Sequence, residues 1–395
     1  MRYFSLAGAV SLALLCACAR EPVGSALPGT SSTATSRSSP AETTFRLVYS
    51  FQGKVNGDGV KPIARLLTAK GDLFGTTEYG GIYDRGTVYE IQPDGTERVL
   101  HSFADANGDG SSPHGGLVEH NGKLYGTTFG GGTANHGTVY EIKRDGSLHV
   151  IYNFAQSNGA NPRGDLVQLF GVFYGTTDAG GEHDLGTVYS LTPDGFHTLV
   201  HSFAGGADGA HPQAGLELFN NHLYGTTYGG GAKGAGTIFE ISPDGKERIV
   251  HDFGMTHEDG ANPESRLTVF NGALYGTTRT AGRTCCGTIF ELSKEGSESV
   301  VHEFSHNEGT GPVAGLTVAN GLLYGTAPRA GSKNQGTVFE FNPSGRTFRV
   351  VHTFGIRDGS EPRAGLIFHN GKLYGTTAAG GAKSKGVVYE ITLSP

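Results

Sequence analysis

A Pro-x-x-x-Leu segment occurs seven times along the chain, and its variable positions carry the side chains best suited to bind a ligand. The residue after Pro and the residue before Leu change from one segment to the next, whereas the shared positions do the packing common to all of them. Arginine and carboxylate groups at such positions would recognise an anionic or polyhydroxyl molecule. The alternative is a set of solvated or mutually paired charges. The candidate residues are Arg65, His114, Arg163, Asp165, Gln213, Glu264, Arg266 and Arg363.

Two further motifs could bind an ion or form a disulfide. Asp105–Gly110 matches the opening of a calcium loop, but Gly116 stands where the bidentate Glu should be, so a plain turn is favoured. Cys285 and Cys286 are adjacent, and a bond between them would be strained because neighbouring Cα atoms lie only about 3.8 Å apart. Reduced, buried thiols are the alternative. We expect no metal and no cofactor.

The elements that position these residues come from a repeat of 49 to 51 residues, marked by the glycine of a Tyr-Gly-Thr-Thr core. Within one repeat, strands are predicted over 113–119, 124–128, 138–142 and 149–154, with Asn121-Gly122 forming a two-residue hairpin turn. Four antiparallel strands per repeat predict an all-β protein, a seven-bladed β-propeller. A solenoid is the alternative, although solenoid repeats are usually shorter. The repeated glycines fall at 75, 126, 175, 225, 276, 325 and 375.

The two ends of the repeat region predict a closed ring. The last repeat stops after its third strand, at 386–391, so the seventh blade lacks a fourth strand. The segment 45–51 resembles the fourth strands of other repeats. We therefore expect it to pair into the last blade, which would remove the exposed edges of an open array. The propeller is expected to span 45–395.

The motif Leu-Tyr-Gly-Thr-Thr-x-x-Gly-Gly, followed by Gly-Thr-Val-Tyr/Phe-Glu-Ile, resembles the GloVer-type tandem repeat of bacterial choice-of-anchor surface proteins. The paired glycines are also similar to those of kelch propellers, although this chain contains no Trp. Blade six departs from the motif at Ala327 and Pro328. The resemblance implies an anchored extracytoplasmic protein and carries over no catalytic residue.

Aromatic residues in the long loops are further candidates for ligand contacts. The long loops between second and third strands share one face of the propeller with the connections between blades, and this face is the expected binding surface. Its aromatic residues could stack on sugars, anchor a protein partner or pack between loops. They are Tyr79, Tyr83, Phe129 and Tyr228.

A histidine or tyrosine also recurs in every fourth strand. Packing is predicted for this series, because single residues on separate outer strands cannot converge on one ion. Its members are Tyr49, His101, Tyr152, His201, His251, His302 and His352.

The N-terminal segment has the features of a targeting signal. A basic Arg2 precedes an apolar run from Phe4 to Leu15 that is too short to span a bilayer. Leu15-Cys16-Ala17-Cys18 resembles the lipobox of bacterial lipoproteins, which implies a signal peptide over 1–17 and acylation of Cys18. A signal peptide cut near Ala19 is the alternative. The Ser-, Thr- and Pro-rich segment 18–44 reads as a flexible linker with a reach of about 30 Å.

These features favour a lipid-anchored binding or interaction module in the bacterial cell envelope, facing the periplasm or the exterior. Its partners would be the membrane, through the lipid, and a glycan, a small molecule or a protein. A net charge of -7 without any basic stripe argues against nucleic acid. One alternative is a glycan-active lyase or hydrolase using residues such as Arg163, Asp165, Glu264 and Arg266. Another is a structural envelope component.

We predict that Cys18→Ser abolishes membrane association and leaves the propeller folded, because the lipid is the expected anchor. Fractionation of membranes, combined with circular dichroism of the released protein, is the measurement. A serine variant that still sediments with membranes would rule out Cys18 as the anchor.

Overall fold

The computed structural model describes residues 43–54, 57–105, 108–284 and 286–393. The proposed signal peptide, Cys18, residues 18–42 of the linker and Cys285 lie outside the described residues. Within the described part, the helices are two short 3-10 turns, Gln156–Asn158 and Gly206–Asp208. None of the described segments is a helix of the length and apolarity that crossing a bilayer requires.

Seven four-stranded antiparallel sheets confirm the predicted all-β propeller. The first strands of adjacent blades contact one another from blade 4 to blade 7. From blade 1 to blade 7, these first strands are Leu67–Ala69, Val118–His120, Val167–Leu169, Glu217–Phe219, Thr268–Phe270, Thr317–Ala319 and Ile367–His369. The second strands are Asp72–Thr77, Lys123–Thr128, Val172–Thr177, His222–Thr227, Ala273–Thr278, Leu322–Ala327 and Lys372–Thr377.

The outer half of each blade is formed by the third and fourth strands. The third strands are Thr87–Ile91, Thr138–Ile142, Thr187–Leu191, Thr237–Ile241, Thr288–Leu292, Thr337–Asn342 and Val387–Thr392. The fourth strands are Glu97–Ser102, Leu148–Asn153, His197–Ser202, Glu247–Asp252, Glu298–Glu303, Thr347–Thr353 and, in blade 7, Thr44–Ser50. Two small ladders on the loop face join Gly59–Val60 to Tyr79–Gly80 and Gly260–Ala261 to Thr280–Ala281.

The first strand of each blade is shorter than the sequence predicts. In blade 2 the prediction covered 113–119, whereas the observed strand is Val118–His120. Pro113 has no N–H to donate to a ladder, and the next residues pack against the neighbouring blades instead. A Cβ added to Gly115 would lie 2.7 Å from the carbonyl oxygen of Gly164 in blade 3. The segment before each first strand therefore lines the space around the propeller axis.

The hairpin from first to second strand has the predicted geometry. In blade 2 both central residues have positive φ, 52° at Asn121 and 75° at Gly122. This is the conformation that a two-residue type I′ turn requires.

An aromatic ring covers the glycine of every second strand. In blade 2, Gly126 pairs with Tyr140 of the third strand. A Cβ built on Gly126 would lie 2.6 Å from the Tyr140 hydroxyl, so no other residue fits without displacing the ring. The ring belongs to Tyr89, Tyr140, Tyr189, Phe239, Phe290, Phe339 or Tyr389, all of which are fully buried.

In six of the seven blades, the threonine after this glycine ties the blade to the next, whereas the Thr127 hydroxyl of blade 2 bonds to no described residue. The Thr76 hydroxyl donates to the carbonyl oxygen of Gly115 at 3.3 Å, and Thr176 donates to Ala214 at 2.8 Å. Thr376 of blade 7 donates to Pro62 at 3.3 Å, which carries the same link across the junction to blade 1. A hydrogen bond to this main-chain carbonyl needs only a hydroxyl group placed opposite it, which explains why threonine recurs at this position.

The strand Thr44–Ser50 closes the ring as predicted. It pairs antiparallel with Val387–Thr392 and begins one residue before the expected start of the folded region. The Arg46 guanidinium donates two hydrogen bonds to Glu390, at 2.8 and 3.0 Å. The Phe45 ring stacks between Tyr389 and His352, so the strand also adds to the core between blades 6 and 7.

Deleting 44–51 should lower the melting temperature by roughly 10 °C or more. The deletion removes Phe45 and Phe51 and exposes the residues that pack against them. Burial of one phenylalanine side chain contributes about 1.5–3 kcal/mol to stability. It also leaves the strand Val387–Thr392 as an open edge. Deletion of 20–42 is the control and should leave the melting temperature unchanged. Equal melting temperatures for both deletions would show that the strand does not hold the ring together.

Candidate functional site

A cavity of about 520 Å³ lies on the propeller axis and is lined by residues from all seven blades. All eight residues singled out from the Pro-x-x-x-Leu segments line it: Arg65, His114, Arg163, Asp165, Gln213, Glu264, Arg266 and Arg363. The sequence pattern therefore locates the cavity wall. It does not show how these side chains are paired.

Alternation along the lining segments turns these side chains toward the axis. In blade 1, Ala64 and Leu66 are buried, whereas Arg65 between them is solvent-exposed within the cavity. Successive side chains of an extended segment point to opposite sides. The buried leucine holds each segment against its blade, and the residue before it faces the cavity.

Most of the charged groups at the loop-side rim of the cavity are already paired. Arg163 Nε donates to Asp178 at 3.1 Å, and the Gln213 amide donates to the same carboxylate at 3.2 Å. Glu264 accepts from Arg279 within its own blade. In blade 7, Arg363 and Glu361 form an ion pair at 3.1 Å.

His114 belongs to the same rim and lies 3.7 Å from Glu78. The Lys61 ammonium is 2.6 Å from the other oxygen of this carboxylate. Burial alone would raise the pKa of Glu78, but the proximity of His114 and Lys61 outweighs it and lowers the pKa to about 2. Glu78 is therefore an anion at the rim, paired with the Lys61 ammonium.

Deeper in the cavity, one cation has no acidic partner. Arg266 is paired with Glu217 at 2.8 Å, and Asp165 accepts the Gly116 N–H at 2.5 Å. Arg65 forms no ion pair with any described residue, and its Nε donates only to the Leu366 carbonyl oxygen at 3.3 Å. Although the Arg65 side chain is exposed to the solvent of the cavity, the protein atoms around it desolvate the guanidinium and lower its pKa. Its terminal nitrogens are available to a ligand.

Sequence reasoning missed four residues that hold this network together: Glu78, Asp178, Glu217 and Arg279. Three of them occupy the position after the Tyr-Gly-Thr-Thr core, which differs in every blade. The rule that selected the cavity residues, variation between repeats, could have found these three. Glu217 begins a first strand, at a position that also varies between repeats, so the same rule could have found it.

The four loop-face aromatic residues lie in different environments. The Phe129 ring stacks on His114, with centroids 4.7 Å apart, and the Arg163 guanidinium lies 4.8 Å from its centre. Both of its faces therefore have neighbours. Tyr228 is half-buried. Tyr79 and Tyr83 are 41% and 57% exposed, which leaves them as the aromatic contacts that this face offers.

The fourth-strand histidines and tyrosines each contact the connection that follows their blade. His101 lies 2.8 Å from Asp109, whose carboxylate also accepts the main-chain N–H groups of Ala104 and Asp105. Asp109 belongs to the calcium-like motif, so the structure gives this carboxylate a role in the turn. Tyr49 donates in the same way to Asp58, at 3.0 Å. The acid and its histidine or tyrosine together shape the loop between blades.

A glutamate from the next blade joins this pair at three interfaces. Burial raises the pKa of Glu97, Glu247 and Glu298 to about 7, and a nearby aspartate reinforces the shift in each case. The prediction of packing considered only one residue per blade. That prediction could not include the carboxylates that the following loop and the fourth strand of the next blade place beside each histidine or tyrosine.

The cysteine pair can be described only in part. Cys286 is buried, and its Sγ lies 3.0 Å from the Thr284 carbonyl oxygen. Because Cys285 lies outside the described residues, a bond between the two sulfurs stays a prediction.

Comparison with protein-family models finds one match, described as the Gloeobacter/Verrucomicrobia repeat, over residues 29–217 and 171–389. This match confirms the resemblance to the GloVer-type repeat. No curated protein matches the chain.

Solved structures share the fold at low sequence identity. A mutant puromycin hydrolase matches with a TM-score of 0.54 and 14% identity, over 80% of this chain and 50% of that one. A putative 6-phosphogluconolactonase from Bacteroides uniformis matches with a TM-score of 0.51 and 19% identity, over 77% and 88% of the two chains. The present chain thus spans about half the length of the hydrolase. At these identities the similarity concerns the fold alone.

The buried Glu97 should make stability depend on pH. It faces Tyr49, Asp58 and Tyr89, and its pKa of about 7 exceeds the value of ~4.3 of an unfolded glutamate. Between these two values the folded chain keeps a proton that the unfolded chain loses, so stability falls as pH rises through this window. The expected loss is on the order of 2 kcal/mol, reduced by the partial exposure of the group.

Urea unfolding of the parent and of Glu97→Gln between pH 4.5 and 7.5 tests this expectation. The amide cannot ionise, so the stability of the variant relative to the parent should increase across the window. Glu295→Gln, in an exposed turn, is the matched control and should show a constant difference. A constant difference for Glu97→Gln would contradict the assignment.

Proposed function

This chain belongs to the Gloeobacter/Verrucomicrobia repeat family, and we propose that it binds a small organic anion in its axial cavity, outside the cytoplasm. In this proposal the propeller is a binding module, and its N-terminal segment tethers it to a membrane.

The observation that carries the proposal is the state of Arg65. Its guanidinium lies inside the cavity without a carboxylate partner, whereas Arg163, Arg266 and Arg363 are all paired. A planar guanidinium with free N–H groups is suited to a carboxylate or phosphate, which it can hold through two parallel hydrogen bonds. An anionic ligand would supply the partner that the protein leaves out.

The size and lining of the cavity support a small and polar ligand. Its volume of about 520 Å³ falls in the usual range for small-molecule sites. Asp165 lies close enough to influence Arg65 electrostatically, so a ligand with hydroxyl groups beside its acidic group could bond to both. The paired charged residues around the rim would orient this ligand without adding net charge to the cavity. A sugar acid has these features.

The enzyme alternative has less support from these contacts. Its four candidate residues are Arg163, Asp165, Glu264 and Arg266. Two of them, Arg163 and Arg266, are bonded to carboxylates, and Glu264 is bonded to an arginine. General acid–base chemistry needs a group placed to exchange a proton with the substrate, and an ion-paired glutamate is poorly placed for that role. Analysis of products after incubation with a bound ligand distinguishes the two functions.

The location outside the cytoplasm rests on the N-terminal residues. The lipobox-like Leu15–Cys18 and the linker that follows would place the propeller within about 30 Å of a membrane surface. A tethered module of this kind would capture its ligand close to the envelope.

Arg65→Gln should weaken binding of the anion by roughly ten- to a hundredfold, because a hydrogen bond to a charged group contributes about 1.5–3 kcal/mol. Calorimetric titration with gluconate, glucuronate, citrate, succinate and inorganic phosphate, and with glucose as the neutral comparison, is the measurement. Arg357→Gln, an exposed arginine away from the axial cavity, is the matched control. The proposal fails if none of these anions binds, or if Arg65→Gln binds as tightly as the parent.

A further inference from the structure

Three metal-binding side chains converge at the outer rim, between blades 4 and 5. His251 comes from the fourth strand of blade 4, Asp259 from the connection that follows, and Glu298 from the start of the fourth strand of blade 5. His251 Nε2 lies 3.5 Å from an Asp259 oxygen and 3.7 Å from a Glu298 oxygen. One ligand atom from each residue lies within 4.8 Å of the other two.

These groups are buried without the partners that buried polar atoms normally have. His251 Nε2, Asp259 Oδ1 and Glu298 Oε1 are all inaccessible to solvent and form no hydrogen bond with another described residue. The side chains of Asp259 and Glu298 are only 7% and 8% exposed. Leaving one such group unsatisfied is unfavourable for folding. Each carboxylate places one oxygen beside His251 Nε2, Oδ2 of Asp259 and Oε2 of Glu298, while its other oxygen has no partner. The cluster as a whole therefore lacks bonds that an occupant could supply.

The same positions in the other blades do not offer this set. Within the described part of the chain, Leu148 replaces the glutamate beside His101, while Phe348 and Phe45 stack on His302 and His352. At the interface of blades 3 and 4 the set recurs as His201, Asp208 and Glu247. There, however, His201 lies 3.0 Å from Asp208 in a hydrogen bond. Of these two three-residue sets, the one between blades 4 and 5 is therefore the set in which the histidine nitrogen has no hydrogen-bond partner.

We propose that His251, Asp259 and Glu298 bind a zinc ion. Zinc takes imidazole nitrogen and carboxylate oxygen at about 2.0–2.2 Å in a tetrahedral arrangement, which separates neighbouring ligand atoms by ~3.4 Å. The spacings of 3.5 and 3.7 Å from the histidine nitrogen are close to this value. An imidazole ligand favours zinc over magnesium or calcium, which prefer oxygen alone. A water molecule would fill the fourth position.

Such an ion would join blades 4 and 5 far from the axial cavity. Its ligands belong to two adjacent sheets and to the loop between them, so binding would require the blades to be docked. The site is thus independent of the proposed anion binding, and either can fail without the other.

Metal content and zinc affinity of the purified full chain test this proposal. After removal of metal with a chelator and dialysis, calorimetry should show zinc binding, and zinc should raise the melting temperature. Glu298→Gln should lose one zinc equivalent or weaken that site by more than about tenfold, since removal even of an outer-shell partner costs that much. Cobalt in place of zinc should give the intense visible absorption of tetrahedral coordination in the parent and lose it in Glu298→Gln.

The matched control is Glu97→Gln, which changes the equivalent glutamate at an interface that has tyrosine in place of histidine. It should leave zinc affinity and the cobalt spectrum unchanged. If Glu298→Gln does not fold, His251→Gln and Asp259→Asn provide the same comparison. The proposal is overturned if the parent binds no zinc, which is the result expected if a shared proton alone occupied the cluster. It is also overturned if Glu298→Gln and Glu97→Gln bind zinc equally.

Discussion

The architecture depends on an aromatic ring that lies across a glycine in each blade. Tyr140 covers Gly126, and the equivalent Tyr or Phe does the same in all seven sheets. The ring fills the space that a side chain on the second strand would otherwise occupy. The four tyrosines at this position leave their buried hydroxyls without a partner, and phenylalanine replaces them in three blades. The packed ring is therefore the required feature, and the hydroxyl is not.

This constraint separates the positions that build the scaffold from those that can vary. The glycine, the covering ring and the threonine that bonds to the next blade are almost the same in each repeat. The residue after Pro, the residue before Leu and the residue after the second threonine point toward the axis or its rim, where no shared packing restricts them. Polar residues have accumulated at these positions in pairs such as Arg163 with Asp178. Arg65 differs because the corresponding acid of its blade, Glu78, is engaged by Lys61 and His114 instead.

The sequence alone predicted the fold well because the repeat makes each observation seven times. The hairpin at Asn121-Gly122, the third strand Thr138–Ile142 and the closing strand were all identified from local patterns. The pairing of charges could not be predicted, since Arg266 and Glu217 are 49 residues apart in different blades. The cluster of His251, Asp259 and Glu298 was missed for the same reason. Each member looks like ordinary packing until the neighbouring blade is placed beside it.

Closure of the ring also sets the order in which the chain can reach its folded state. Arg46 and Glu390 are separated by 344 residues, and the strand that pairs with Thr44–Ser50 is the last one in the propeller. Contacts between such distant residues form slowly because a long loop must close first. Six blades can assemble from contacts within each repeat and its neighbour while the first strand still has no partner. We therefore expect the strand that begins the propeller to take its place last, so that the folding chain carries an unpaired strand until that step.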